Sequence, residues 1–358
     1  MQTFEHIDSP FEGGKVRVLY GLAGEGMGHA MRSRLFIEHH EAQGHQVLVA
    51  TSGKPSRVLS DAGFPTLVIA GLTLTYRRGG VAQTRSLYRF LRDAPSMASV
   101  NLDAYLGPIR DFDPDICISD FDGFAYAVGR WLDRPVLCID HQHVLDRCVH
   151  PRSVQSISTR LAALLVRAKM PGCSHYLVSS FYQPPLRPHL AGTTTLVGPI
   201  VRPQVLGLKP YQGDHVLVYQ TASGDKGLLR ALATMPEQVF RVYGHAKVDA
   251  PSNIVFCPFS PTTFLEDLAG AKAVICNGGY TTMSEALVLG KSVLSVPLRK
   301  HGEQQLNAAY LEAMGLGMHR KRLKGDVLRT FVDKAVPQIP VVPGNDLATR
   351  TLDHHLVA

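Results

Sequence analysis

The chain has 358 residues, 45% of them hydrophobic, with 32 glycines and 23 prolines, a make-up that excludes a disordered chain and suits two domains. Its 37 basic and 30 acidic residues leave a net charge of +7, which favours an anionic partner without choosing among nucleotide, nucleic acid and lipid headgroup. The opening MQTFEHIDSP has no apolar core and the longest aliphatic run, LAALLV at 161–166, is far too short to span a bilayer, so a cytoplasmic protein is expected. Cysteines 117, 138, 148, 173, 257 and 276 show no CxxC spacing and lie mostly in apolar runs, which reads as buried reduced thiols and not as a disulfide or zinc framework.

In chain order, KVRVLYGLA is a short β-branched run ending in glycines, and MRSRLFIEHHEAQG follows with helical spacing up to Gly44. HQVLVAT, PTLVIAG, PDICISD and RPVLCID are further strands, apolar enough to be covered on both faces. A second alternation runs through HVLVYQTAS, VFRVYG, NIVFCPF, AVICNGG and SVLSVPL. The Pro-rich QPPLRPHLAGTTTLVGPIVRP between them suits a linker. We therefore expect an α/β protein of two facing Rossmann-like, doubly wound domains, residues 1–200 and 201–340, with a cleft between them and a tail, 341–358, that could fold back on the first domain.

The turn Asn277, Gly278, Gly279 stands between a strand and a helix whose first residues are expected to be Thr281 and Thr282. Glycines admit a ligand to the backbone, and amides at a helix start attract phosphate. Glu285, three residues after Thr282, also fits a purely local capping box. Glu303, Gln304 and Asn307 gather polar groups at the start of another helix, able to bond sugar hydroxyls in several directions. In the first domain GLAGEGMGHAMRSR carries Gly24, Gly26 and Gly28 after the first strand. A dinucleotide fingerprint would want an acid at the end of the second strand, where Thr51 and Ser52 stand, which argues against a dehydrogenase.

From Asn277 to Asn307 the sequence resembles the donor-binding signature of nucleotide-sugar glycosyltransferases of the two-domain GT-B architecture, among them the UDP-glycosyltransferases and the lipid-linked GlcNAc transferase of peptidoglycan synthesis. The runs AVICNGGYTTMSEAL and EQQLNAAYLEAMGLG resemble in particular a bacterial and archaeal subgroup of such enzymes. The resemblance implies that Asn277, Gly278, Gly279, Thr281 and Thr282 face the donor diphosphate, that Glu285 bonds ribose hydroxyls, and that Glu303 and Gln304 read the donor sugar. Asn277 stands where those families have a phosphate-facing histidine, and Tyr280 where they have a tryptophan. Thr221, Ser223 and Gly224 fall in the loop that reaches the diphosphate from the opposite side, and Phe259 and Ser260 in the region that holds the base.

The same resemblance makes His29, directly after Gly28, the general base on the acceptor hydroxyl, and Asp120 the carboxylate that orients it, with Asp122 a near-equal candidate; Arg32 replaces a proline common in the family. Gly26, Gly28 and Asp122 would line the acceptor side, and Asp140 and His141, after a strand that points into the same cleft rim, would either join them or form a structural turn. Neither the DFD string at 120–122 nor the paired histidines at 141 and 143 brings a convincing ligand set, so no metal or other cofactor is expected. The expected activity is metal-independent, inverting transfer of a sugar from a nucleoside diphosphate sugar, UDP-linked by preference, to a small-molecule or lipid-linked acceptor. Two alternatives stand beside it: a nucleotide-sugar epimerase or hydrolase on the same fold, and a non-catalytic basic protein that binds nucleotides or nucleic acid. The latter would want basic residues interleaved with exposed aromatics in a recognisable module, so no nucleic-acid partner is expected. Arg85, Arg89 and Arg92 share one helical face, with Leu87, Phe90 and Leu91 elsewhere around the helix. That pattern reads as a solvated charged face over an apolar core contact, or as a patch that meets an anionic membrane from the cytoplasmic side.

Overall fold

The computed structural model describes residues 15–24, 27–71, 76–77, 80–81, 83–220, 226–258 and 260–356. Seven strands form the first sheet: β1 Arg17–Leu22, β2 Gln46–Thr51, β3 Thr66–Val68, β4 Ile116–Asp120, β5 Val136–Asp140, β6 His175–Ser179 and β7 Thr194–Val197. They lie in the order 3-2-1-4-5-6-7, all parallel. Every residue of β4 and β5 is buried, as continuous apolar runs covered by helices on both faces must be. The second sheet comprises β8 His215–Tyr219, β9 Val239–Tyr243, β10 Ile254–Phe256, β11 Ala273–Cys276, β12 Ser292–Ser295 and β13 Gly317–His319, in the parallel order 10-9-8-11-12-13.

Both sheets reverse their winding next to their first strand, between β1 and β4 and between β8 and β11. Such switch points open a crevice at the carboxyl ends of the strands, and ligands of doubly wound sheets occupy it. His29, Asp120 and Asn277 follow or end those strands.

Two local readings need correction. The Pro-rich stretch is not all linker, because TTLV inside it is β7, paired with β6 from Tyr176 opposite Thr194 to Ser179 opposite Val197. Its β-branched residues complete the sheet, while the prolines and glycines flank the strand without interrupting it. The arginine-bearing segment is the helix Gln83–Ala104, but Phe90 and Leu91 are exposed and do not form the expected core contact.

The chain ends by crossing back. Gly344 donates to the carbonyl of Pro199 at 2.9 Å, and Asn345 bonds both backbone groups of Val201. The helix Asn345–Leu356 then buries Ala348, Leu352 and Leu356 in the first-domain core that also holds Val16, Val18, Tyr20, Leu137 and Leu177. No described helix is long and apolar enough to cross a membrane.

The seam between the domains is tight and combines aromatic stacking with buried hydrogen bonds. Tyr182 stacks on Tyr310 with ring centroids 4.0 Å apart. The helix Ile157–Lys169 meets Gly302–Ala313, and a side chain at Gly302 would strike the carbonyl of Ser158.

Candidate active site

The helix Met27–Ala42 starts at the end of β1 and brings His29, Arg32 and Ser33 over the end of β4. There Asp120, with no exposed surface, places Oδ1 2.8 Å from His29 Nδ1, while Oδ2 accepts from Arg32 Nε at 3.2 Å and from Ser33 Oγ at 3.0 Å. Arg32 Nη2 also bonds Oδ1. Burial opposes ionisation of this carboxyl, but the charges of Arg32 and His29 outweigh it and hold Asp120 below the usual carboxylate range. An ionised Asp120 holds the proton of His29 on Nδ1, so Arg32 Nη2, 3.2 Å from that nitrogen, donates to the carboxylate and not to the ring, and Nε2 is left without the proton, at a side chain that is 16% exposed.

Asp120 and Asp122 do not converge on one point. Phe121 between them takes a left-handed φ of 52°, and Asp122 turns away to cap the helix Gly123–Trp131, accepting from Ala125 N at 2.9 Å. Burial raises its proton affinity, and nothing in this placement serves an acceptor. Asp140 is likewise buried in the first domain, its oxygens bonded to the amide of His143 at 2.8 Å and to His143 Nδ1 at 2.7 Å. Cys138 Sγ joins this group 3.0 Å from Asp140. Among the described residues these three form one of two groups whose donor atoms lie close enough together to hold a metal ion, the other being His39, His40 and Asp353.

In the second domain Gly278, with φ 86°, turns the chain where a Cβ would meet Ser295 Oγ and the carbonyl of Gln304. The helix begins one residue earlier than expected, at Tyr280 after an N-cap Gly279 that has no side chain to bond the first amides. No capping box forms, because the N-cap is Gly279 and Thr282 and Glu285 both fall inside the helix; both oxygens of Glu285 instead take a fork from Arg202, at 2.6 and 2.7 Å, with the carboxylate 1% exposed. In this arrangement Glu285 presents almost no exposed surface to a sugar hydroxyl. Beside the open amides lies Asn277, whose Nδ2 is buried without a hydrogen-bond partner, an amide donor that lacks an acceptor.

The two halves of the cleft touch. A Cβ on Gly28 would lie 2.5 Å from Thr281 Oγ1, so the glycine at the first helix start makes room for the hydroxyl at the second. Tyr280 enters the first domain, where its hydroxyl bonds Ser179 Oγ and accepts from Ile200 N at 3.3 Å. Its ring stacks on His141 at 3.9 Å, and Arg32 stands 5.8 Å from its centroid. His141 Nε2 lies 2.7 Å from Asn307 Oδ1, Tyr182 donates to the same oxygen at 2.9 Å, and Asn307 Nδ2 donates to Gly278 O at 3.1 Å. Burial, felt against the opposing charge of Glu303, makes His141 less basic than an ordinary histidine. His141 thus bridges the domains and does not stand open to an acceptor.

Of the other expected residues, Gln304 accepts from Leu298 N at 3.0 Å and shapes the loop before its helix, and Glu303 is half-buried beside it. Ser260 caps the helix Pro261–Ala269. Gly26, Thr221, Ser223, Gly224 and Phe259 lie outside the described residues. Sequence reasoning missed the parts played by Arg32, Arg202 and Tyr280. The three-residue spacing from His29 to Arg32 on one helix face was the available signal for the first; the other two meet partners 83 and 101 residues away in the chain.

Comparison with known proteins bears on the fold and the family. An uncharacterised glycosyltransferase of Methanosarcina acetivorans is 24% identical over 329 residues, covering 84% of this chain and 85% of the relative. A zeaxanthin glucosyltransferase of Pseudescherichia vulneris is 28% identical over 211 residues, 56% of this chain and 47% of the relative. Among solved structures the calicheamicin glycosyltransferase CalG4 superposes with a TM-score of 0.61 at 16% identity, covering 96% of this chain and 98% of its own. The spinosyn rhamnosyltransferase SpnG gives 0.59 at 19% identity, with 95% of each chain covered. These likenesses show the GT-B fold. The family model of glycosyl transferase family 1 matches residues 16–337, and the chain belongs to that family of glycosyltransferases.

Proposed function

We propose that the protein transfers a sugar from a nucleoside diphosphate, UDP by preference, to an acceptor hydroxyl, with inversion at the anomeric carbon and without a metal ion or bound cofactor. The observation that carries this reading is the His29–Asp120 pair at 2.8 Å, at the first helix start, where Gly28 makes room for Thr281 of the second. His29 Nε2 takes the proton of the acceptor hydroxyl as its oxygen bonds the anomeric carbon; the bond from that carbon to the diphosphate breaks on the opposite side. The open amides from Tyr280 to Thr282, the Thr281 hydroxyl and the Asn277 amide then neutralise the departing diphosphate, the task a metal ion would otherwise perform. A nucleoside diphosphate is also the ligand named for one solved neighbour, SpnG complexed with thymidine diphosphate, at a TM-score of 0.57. The acceptor belongs to small hydroxylated molecules or lipid-linked ones, met at the cytoplasmic membrane face in the second case.

His29→Ala is expected to lower transfer by about 100-fold or more while thermal stabilisation by UDP persists, and activity is expected to survive chelators. Full transfer by the variant would remove His29 from this role. Rapid release of free sugar or C2 inversion without acceptor would favour the hydrolase or epimerase. Stabilisation by thymidine diphosphate but not UDP would reassign the base.

A further inference from the structure

Outside the transfer cleft, a cavity of about 580 Å³ lies mostly in the first domain, with Leu306 of the second closing one wall, and shares no residue with the His29–Asp120 pair or with the donor turn. Arg147, Arg160, Arg167 and Arg187 line it together with His150 and His189, against the single carboxylate of Asp146. Arg147 decides what the cavity is for. Its guanidinium is buried, 5% exposed, and lies 3.6 Å over the Tyr176 ring. Its hydrogen bonds go to neutral hydroxyls, Nε to Thr194 at 2.6 Å and Nη2 to Thr193 at 2.7 Å. Arg160 donates to the amide oxygen of Gln155 and Arg187 to the carbonyl of Asp146, so among the described residues none of these arginines has a carboxylate within ion-pair reach. Burial also raises the proton affinity of Asp146, which weakens the one negative charge present. A buried guanidinium is costly without an anion, and a fork of arginines is the usual complement of a phosphate.

The cavity wall continues into an apolar surface. On the helix Ile157–Lys169, Thr159 and Val166 face the core, while Ile157, Leu161, Leu164 and Leu165 fall at i, i+4, i+7 and i+8 on the outer face, with exposures of 87, 44, 65 and 63%. Arg160 and Arg167 run along the edge of this stripe on the cavity side, and Leu164 belongs to both. Cations that flank exposed leucines on one helix match a headgroup phosphate with hydrocarbon beside it.

We propose that this cavity binds the phosphate of an anionic phospholipid, with the leucine stripe seated in the adjoining acyl region, so that the first domain works on a membrane surface. The experiment is co-sedimentation of the full chain with vesicles of phosphatidylcholine alone and with phosphatidylglycerol added, at low and high salt, beside thermal shift with inorganic phosphate. Salt-sensitive binding to the anionic vesicles only is expected. Arg160→Glu with Arg167→Glu should weaken it about tenfold or more, as should Leu164→Ser with Leu165→Ser; all four side chains are on the surface, and unchanged thermal stabilisation by UDP would show that the variants are folded. Arg85→Glu with Arg89→Glu, on the helix Gln83–Ala104, should leave binding unchanged. Three outcomes would overturn the proposal: no binding to anionic vesicles, stabilisation by inorganic phosphate without vesicle binding, or binding that survives both pairs of substitutions in the site. Each is independent of whether His29 is the base.

Discussion

Asp120 holds three donors at once with no access to water, and its neighbours depend on its charge as much as it depends on theirs. Arg32 is itself 3% exposed, and Asp120 is its ion-pair partner. Asp120→Asn keeps the shape and removes the charge. Two effects are expected and they are separable. Stability should fall by about 3–5 kcal/mol, because a buried guanidinium is left without an anion. The turnover of whatever remains folded should fall on the order of 1,000-fold or more, because an amide no longer fixes the proton on Nδ1 or stabilises the imidazolium. Denaturant titration measures the first, and turnover per UDP-binding site the second. A variant as active per site as the parent would mean that Asp120 serves only to hold Arg32.

The contact of two helix starts, Gly28 against Thr281, makes cleft closure a matter of one methyl group. Gly28→Ala should not weaken its own helix, where alanine is the better former, but it puts a Cβ 2.5 Å from Thr281 Oγ1. We expect kcat/KM to drop about tenfold or more, and Thr281→Ala in the same chain to recover part of the loss, a coupling of about 1 kcal/mol or more in a double-mutant cycle. Additive losses would mean that the helix starts do not meet during turnover. Much of this geometry was legible in the sequence. Short apolar runs separated by glycine turns gave the parallel sheets, and the adjacency of β1 and β4 in a doubly wound order sets His29 beside Asp120. What could not be read depends on partners distant in the chain. Thr282 and Glu285 have the spacing of a capping box, but the helix starts earlier, after Gly279, so both lie within it and Glu285 is left to the fork of Arg202, 83 residues away. β7 was hidden because prolines flank a run that becomes a strand only through β6.

At the scale of the whole molecule the chain starts in the first domain, builds the second and returns, so the helix Asn345–Leu356 helps to complete the core of the domain that carries His29. That return is fastened by histidines. His39 Nε2 lies 2.9 Å from Asp353 of the last helix, and the ring of His175 is 4.0 Å from that of His355. Next to the first pair, His40 is fully buried with neither ring nitrogen bonded. Burial, reinforced by His39 and His45 and only partly offset by Asp353, lowers its pKa from 6.5 to about 4. His175 is lowered to about 4 for the same first cause, with His355 adding to it. In both, the unfolded chain takes up its proton before the folded one as pH falls, so stability is complete above about pH 6.5 and drains away towards pH 4. A shift of this size at His40 corresponds to ~3 kcal/mol at the acid end. Denaturant midpoints measured from pH 7.5 to 4.5 should therefore fall, and His40→Leu, which cannot be protonated, should flatten the decline. An unchanged slope in that variant would mean that the acid sensitivity of the returning helix lies with other groups. The expected outcome is a decline that begins where the last helix meets the first domain, because His40 lies beside the His39–Asp353 pair and His175 beside His355.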